Sequence, residues 1–382
     1  MRALVVSLLL LAAQTVDAVR KPVMLPGITG AVEAAMGQHF FLVRLADGSV
    51  VSWGLNSRGQ LGTGRKVGLD GPNAGKRIND VAQGVPAPVT GLADVVSIAA
   101  GAEHALAVTR DGHVWGWGSN GSSQLTGKPS EGRTTPAIVP GIADAVAVAA
   151  QGDASYALLR DGRVLGWGDR LWMNDANRQV ALQAPTPVPG IAHATAIRAG
   201  LPSLALLADG SVMSWGMGYL GDGHARQQPY STDRVSQPAK VEGIDDATSI
   251  AAGTDRSAVI RRDGSVWIWG RGDSGGLGNG TNGSNGSADQ RVPVMLKGAA
   301  RAVDISLASA SSIVFADGTI KSWGDERLGA TGRTGIERLM TPTAIPGVTD
   351  LARVWSSLYA NVGLTKSGRV LVWGNVLIAP GS

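Results

Sequence analysis

The sequence predicts an all-β chain folded as a seven-bladed propeller of four-stranded antiparallel blades, and three recurrences predict it. The dipeptide Trp-Gly occurs seven times, at Trp53, Trp117, Trp167, Trp215, Trp269, Trp323 and Trp373. Asp-Gly stands six residues before six of these markers, from Asp47 to Asp317, and Ser367-Gly368 takes its place before the last. Small-residue segments such as Ile98-Ala99-Ala100-Gly101 come ahead of the Asp-Gly pairs, and Pro-containing segments such as Pro136-Ala137-Ile138-Val139 come after Trp-Gly. A unit of about 50 residues that repeats in this way is a propeller blade.

Within a unit the strands follow in order. The Ala-Ala-Gly segment is the first, and its small side chains suit a crowded position near a central axis. The second and third flank Asp-Gly, as in Ala105-Leu106-Ala107-Val108 and Val114-Trp115-Gly116-Trp117. Asp-Gly between alternating apolar residues signals a two-residue hairpin with φ > 0 at both turn positions. The fourth strand carries proline, which cannot donate to a ladder, and is therefore an outer edge. The last unit lacks this strand, while Pro22-Val23-Met24-Leu25 stands unused ahead of the first. The N-terminal strand is expected to complete the seventh blade and close the ring.

Composition agrees. Glycine fills 54 of 382 positions, about twice its ordinary share, and charged residues make up only 17%. With 44% apolar residues the chain can bury a large core and is not disordered. A net charge of +4 is no basic stripe, so nucleic acid is not expected as a partner. The absence of cysteine excludes disulfides, thiolate metal sites and cysteine nucleophiles.

The first eighteen residues read as an address. Met1-Arg2, the apolar run Ala3–Ala13 and the small-residue end at Ala18 have the layout of a secretory signal peptide. Eleven apolar residues are too few to span a bilayer core about 30 Å thick, so no stable membrane anchor is expected. Residues 1–18 are thus assigned as signal peptide and 19–382 as one propeller domain, monomeric and secreted or periplasmic.

The combined phrase of Gly101-Ala102-Glu103-His104, Asp111-Gly112-His113-Val114-Trp115-Gly116-Trp117-Gly118 and Gly59-Gln60-Leu61-Gly62 resembles the regulator of chromosome condensation (RCC1-like) repeat family. The resemblance covers nearly all of residues 19–382. It implies the propeller fold. It also implies either guanine-nucleotide exchange on a small GTPase with chromatin binding, as in nuclear members, or inhibition of a secreted enzyme, as in an exported bacterial-type branch that caps β-lactamases. A signal peptide favours the exported branch. The repeat histidine is clear only at His104, is offset at His39, and corresponds to Ser155, Ser203, Arg256, Ala310 and Ala360 elsewhere.

Strand order sends the turn after Ala-Ala-Gly and the loop after Trp-Gly to one face and the Asp-Gly hairpins to the other. The first face varies between units, and variable loops on a rigid scaffold carry specificity. Its expected partner-binding residues are His39, Phe40, Glu103, His104, Asp153, Asp255, Arg256 and Tyr359 near the axis, with Trp172, Tyr219 and Arg271 farther out. Trp172, Tyr219, Arg256 and Tyr359 are the natural anchors, because interfaces favour Trp, Tyr and Arg. Two loops exceed the repeat: a basic insertion at 65–85 and the Gly/Asn-rich 275–287.

No Gly-x-Ser-x-Gly, His-Glu-x-x-His or phosphate-loop pattern is present, so no catalytic residue, cofactor or metal is assigned. The expected function is an exported, non-catalytic propeller scaffold that binds a protein. The alternatives are an extracellular hydrolase or lyase using His39, His104, Glu103 and Asp153 at the central funnel, or an exchange factor if the chain stays inside the cell.

Overall fold

The computed structural model describes residues 19–67, 73, 82–169, 181–224, 235–283, 288–325, 329–333, 338–358 and 360–376. The assigned signal peptide, residues 1–18, therefore lies outside the described residues, as does most of the 65–85 insertion.

Seven four-stranded sheets form a ring. Blade 1 comprises β2 (Ala31–Met36), β3 (Phe40–Leu45), β4 (Val50–Gly54) and β5 (Gln83–Pro88). Blade 2 comprises β6 (Val95–Ala100), β7 (His104–Thr109), β8 (Val114–Asn120) and β9 (Ser130–Ile138). Blade 3 comprises β10 (Ala145–Gln151), β11 (Ala154–Leu159), β12 (Val164–Gly168) and β13 (Leu182–Pro187). Blade 4 comprises β14 (Ala194–Arg198), β15 (Ser203–Leu207), β16 (Val212–Gly216) and β17 (Val235–Lys240). Blade 5 comprises β18 (Ala247–Ala252), β19 (Arg256–Arg261), β20 (Val266–Gly270) and β21 (Gln290–Met295). Blade 6 comprises β22 (Ala302–Ser306), β23 (Ala310–Phe315), β24 (Ile320–Gly324) and β25 (Leu339–Ala344). Blade 7 takes β26 (Leu351–Ser356), β27 (Ala360–Thr365) and β28 (Val370–Gly374) from one end of the chain and β1 (Val19–Leu25) from the other.

The ring closes as the sequence leads one to expect. Strand β1 pairs antiparallel with β28 through Val23↔Val372, Met24↔Leu371 and Leu25↔Val370. Every outermost strand contains a proline: Pro22, Pro86, Pro136, Pro185, Pro238, Pro293 and Pro342. In each of them the ladder to the Trp-Gly strand is irregular, as between Ser52↔Ala87 and Gly54↔Gln83. A residue without an N–H sits there at no cost to pairing.

The core is divided among the blade interfaces. Among the described residues seven apolar clusters occur, each shared by two neighbouring blades; one joins Val43 and Trp53 to Val362 and Val372 across the closure. All seven marker tryptophans are at most 1% exposed. Each removes about 200 Å² from water, a gross transfer gain of about 5 kcal/mol. Five of their N–H groups, those of Trp117, Trp167, Trp269, Trp323 and Trp373, reach back to the preceding blade: Trp117 donates to the Gln60 carbonyl at 2.9 Å, Trp167 to Gln124 at 2.9 Å and Trp323 to Gly276 at 2.9 Å. The Gly-Gln-Leu-Gly loop of one unit is thus the floor under the next unit's tryptophan.

The Asp-Gly turn differs from the expected two-residue hairpin. Only the glycine has φ > 0, for example Gly48 at +82°, and Gly48 N–H donates to the Leu45 carbonyl at 3.0 Å. This is a type I turn followed by a glycine bulge, the longer alternative. Aspartate acts as a local clasp: the Asp47 carboxylate accepts from Ser49 N–H at 2.9 Å and Ser49 Oγ at 2.7 Å. Asp161, Asp209, Asp263 and Asp317 repeat the backbone part of this bond. These hydrogen bonds hold their pKa values below the ordinary carboxylate range.

Candidate functional site

The face opposite the Asp-Gly turns is built around the channel mouth. The inner turns of adjacent blades are stitched together: Gln38 N–H donates to Ala102 O at 3.0 Å, Ala102 N–H to Gly152 O at 2.7 Å, and Leu201 N–H to Gly253 O at 2.9 Å. The loop after Trp-Gly is strapped to the same turns. Leu55, Ser119, Asp169, Arg271 and Asp325 donate N–H to the carbonyls of His39, Glu103, Asp153, Asp255 and Ser309 at 2.8–3.0 Å. The glycine of Trp-Gly permits this approach: Gly54 has φ +110°, and a Cβ there would lie 2.4 Å from His39 O. His39, Glu103, Asp153 and Asp255 therefore hold one repeated position with a fixed backbone and a free choice of side chain.

Two expected partner-binding residues are corrected. Phe40 and His104 are both 0% exposed and pack between blades, so neither can touch a partner. Pairing with the Trp-Gly glycine explains the error: Phe40↔Gly54, His104↔Gly118 and Ala154↔Gly168 share one register position. The repeat position of His104 is thus Phe40 in blade 1 and Ala154 in blade 3, whereas Ser155 and Ser203 pair with the tryptophans themselves. Trp172 and Tyr359 lie outside the described residues.

His104 is not an acid–base group. The Ser155 hydroxyl donates to Gln124 O at 2.9 Å, so His104 Nε2, 2.9 Å from Ser155 Oγ, carries the proton and donates. Its Nδ1 is buried without a partner, and burial pulls the pKa from 6.5 to about 3. His39, half-buried, is lowered by desolvation and opposed by the Glu103 charge. Among the described residues no group of three His, Asp or Glu side chains could hold a metal ion.

The remaining candidates form local clusters that differ from blade to blade. Arg58 lies 3.5 Å from Glu103. Asp153 accepts from Ser122 Oγ at 2.9 Å and Gln124 Nε2 at 3.0 Å. In blade 5, Arg271 bridges Asp255 at 3.8 Å and Asp273 at 3.0 Å. Arg256 lies beneath them with only 13% of its side chain exposed, donating to the carbonyls of Arg271, Ala308 and Asp273. Desolvation lowers its pKa, and the Asp273 and Asp255 charges oppose the shift. Arg256 is thus a brace between loops, while Arg271 is the exposed head of the cluster. The Tyr219 hydroxyl is bound to Asp289, which also accepts from Gly272 N–H at 2.8 Å, and its pKa is raised by burial and that carboxylate.

Sequence reading anticipated a central funnel but missed the charged and aromatic side chains that line it. The innermost strands enclose a space of about 620 Å³ whose wall includes Glu33, Arg198, Asp304, Arg353 and Trp355. The available signal was a departure from the repeat: where blades 2 and 5 read Ile-Ala-Ala-Gly, blade 4 reads Ile197-Arg198-Ala199-Gly200 and blade 7 reads Val354-Trp355-Ser356-Ser357.

Models of the regulator of chromosome condensation (RCC1) repeat match residues 32–60, 95–124 and 247–275, and again 47–108 and 263–315. The chain carries RCC1 repeats. It is 30% identical over 344 residues to human E3 ubiquitin-protein ligase HERC2, across 86% of this chain but only 6% of that protein. It is 26% identical over 246 residues to the mitochondrial RCC1 domain-containing protein RUG3 of Arabidopsis thaliana, covering 62% of this chain and 41% of that one. Solved structures superpose on it. Yeast RCC1 (Prp20), in its structure with Kap60, aligns with a TM-score of 0.71 and 22% identity, over 92% of this chain and 81% of that one. Human WBSCR16 aligns with a TM-score of 0.71 and 22% identity, over 85% and 88%.

Proposed function

We propose that this RCC1-like propeller is an exported, non-catalytic binding module that holds a protein partner against the face carrying the inner turns and Trp-Gly loops. One contrast carries the reading. Among the described residues the Asp-Gly face repeats one clasped turn in six blades, whereas the opposite face carries four clusters of different composition spread over blades 1 to 5. Glu103, Asp153, Tyr219, Asp255 and Arg271 with Arg58 are the contact residues of this proposal, and Arg256 supports them from below. Charges at such a rim steer association and select the partner. The solved structure of the similar yeast Prp20p is described together with its binding to Gsp1p and histones, which is in keeping with a protein-binding use of the fold.

Export rests on the residues before β1. Their short positive start, apolar run and small-residue end at Ala18 have the signal-peptide layout, and residues 19–382 act as one monomeric domain in this proposal.

Affinity capture from secreted and envelope fractions with residues 19–382, beside an Arg58→Ala/Arg271→Ala variant, tests the binding role. A stoichiometric partner lost with the variant supports it; capture unchanged by the variant, or none under mild cross-linking, overturns it. Intact mass of the mature chain tests export. A cytoplasmic chain retaining residues 1–18 would sink export and turn attention to the exchange-factor alternative.

A further inference from the structure

Propeller blades place small residues at the axis because seven inner strands converge there, so a large charged side chain at such a position displaces volume the fold does not need displaced. Position five of the inner strand is Ala35, Ala99, Ala149 and Ala251 in four blades but Arg198 in blade 4 and Trp355 in blade 7. Two residues earlier, blades 6 and 7 carry Asp304 and Arg353. Residues two apart on a strand share a face, and Arg353 and Trp355 both line the channel. Arg198 enters from blade 4, on a wall far around the ring from blade 7.

These two guanidinium groups are under-used by the protein. Arg198 donates to one carbonyl, that of its neighbour Ile197, at 3.0 Å. The Arg353 guanidinium carbon stands 4.8 Å from the centre of the Trp355 ring, a cation–π contact that leaves its N–H fork unspent. Among the described residues no carboxylate lies within ion-pair distance of either. Glu33 is engaged elsewhere, 2.8 Å from Arg44 Nε. Asp304 accepts from Val354 N–H at 2.7 Å, which ties blade 6 to blade 7. The enclosing walls and the nearby Arg353 charge both lower the Arg198 pKa, against Asp304 and Glu33, but arginine keeps its proton in proteins. Two guanidinium groups therefore line one space, together with the Glu33 and Asp304 carboxylates, which are engaged by Arg44 and by Val354 N–H.

We propose that the central channel is a binding site for a small oxyanion-bearing molecule, a carboxylate or phosphate, clasped between Arg198 and Arg353 beside Trp355. Guanidinium forks match carboxylate and phosphate oxygens, and bonds to ionised acceptors are the strong ones. The channel volume of about 620 Å³ admits a ligand of metabolite size. Strand direction puts Arg198 and Trp355 toward the inner-turn end, so the site opens on that face.

The test is calorimetric titration of the folded full-length mature chain with acetate, citrate, inorganic phosphate and glucose at low ionic strength. The expected result is one saturable site for citrate or phosphate, at least about tenfold tighter than acetate because both guanidinium groups are engaged, and no heat with glucose. A tighter phosphate assigns a phosphorylated ligand, and a tighter citrate a polycarboxylate. Arg198→Gln and Arg353→Gln should each weaken binding about tenfold or more, whereas Arg160→Gln, on the Asp-Gly face and paired with Asp144, should not. Arginine Nε–Hε NMR signals of the parent chain supply a second readout that needs no variant: two of them should shift together with citrate. No saturable binding of any anion, or binding that both channel variants leave unchanged, overturns the proposal.

Discussion

Acidification should test the buried histidine directly. His104 is fully enclosed and donates through Nε2 to Ser155 Oγ, while Nδ1 faces no partner, so a second proton would place an uncompensated charge between blades 2 and 3. The folded chain therefore binds that proton only near pH 3, whereas the unfolded chain binds it near 6.5. Between these values the unfolded state holds more protons, and stability falls as pH falls. At about pH 4.5, two units below the unfolded value at about 1.4 kcal/mol each, the loss through this residue is about 3 kcal/mol relative to pH 7.5. Carboxylates titrate in the same window, so the quantity to measure is a difference between variants. His104→Gln keeps a donor for Ser155 and removes the titration. Urea unfolding of both proteins at the two pH values should show the variant gaining about 3 kcal/mol on the parent at the acid value. A parent-minus-variant difference that stays constant with pH would refute the reasoning, as would an imidazole NMR titration near 6.5 for His104 in the folded chain.

Other consequences follow from packing and closure. Removing Val19–Leu25 should strip blade 7 of its outer strand and expose the β28 edge; the truncated chain should aggregate and be cut by protease within 351–376, and a peptide of residues 19–25 should restore protection. Trp117→Phe, which forfeits the bond to Gln60 O and leaves a void, should cost about 2–4 kcal/mol in urea unfolding, against about 1 kcal/mol or less for the half-buried Trp115→Phe. Gly54→Ala should cost about 2 kcal/mol or more, because the new Cβ meets the His39 carbonyl at 2.4 Å; Gly91→Ala, with φ +77° but nothing within 4 Å, should cost only about 1 kcal/mol. Arg271→Ala should leave stability within about 1 kcal/mol, since its ion pairs face solvent.

The number of blades, the order of strands and the closure by β1 were legible because each has a local cause. Glycine marks a backbone turn, proline an edge, and small residues a crowded axis, and those preferences act within a few residues of one another. Even so, the Asp-Gly turn proved one residue longer than its dipeptide suggests, since Asp47 clasps Ser49 instead of adopting φ > 0.

The candidate site was less legible. A one-residue register decides whether a side chain faces a neighbouring blade or the rim, and so Phe40 and His104 went inside while His39 and Glu103 stayed at the mouth. Arg256 has the composition of an interface anchor, yet three carbonyls fix it as a brace. By itself the sequence determined a closed ring of seven units with one uniform and one variable face. Only the tertiary structure brought Arg198, Asp304, Arg353 and Trp355 to one channel. They come from three different blades, and nothing local links Arg198 and Asp304 to the Arg353–Trp355 pair; their meeting is a property of the closed ring.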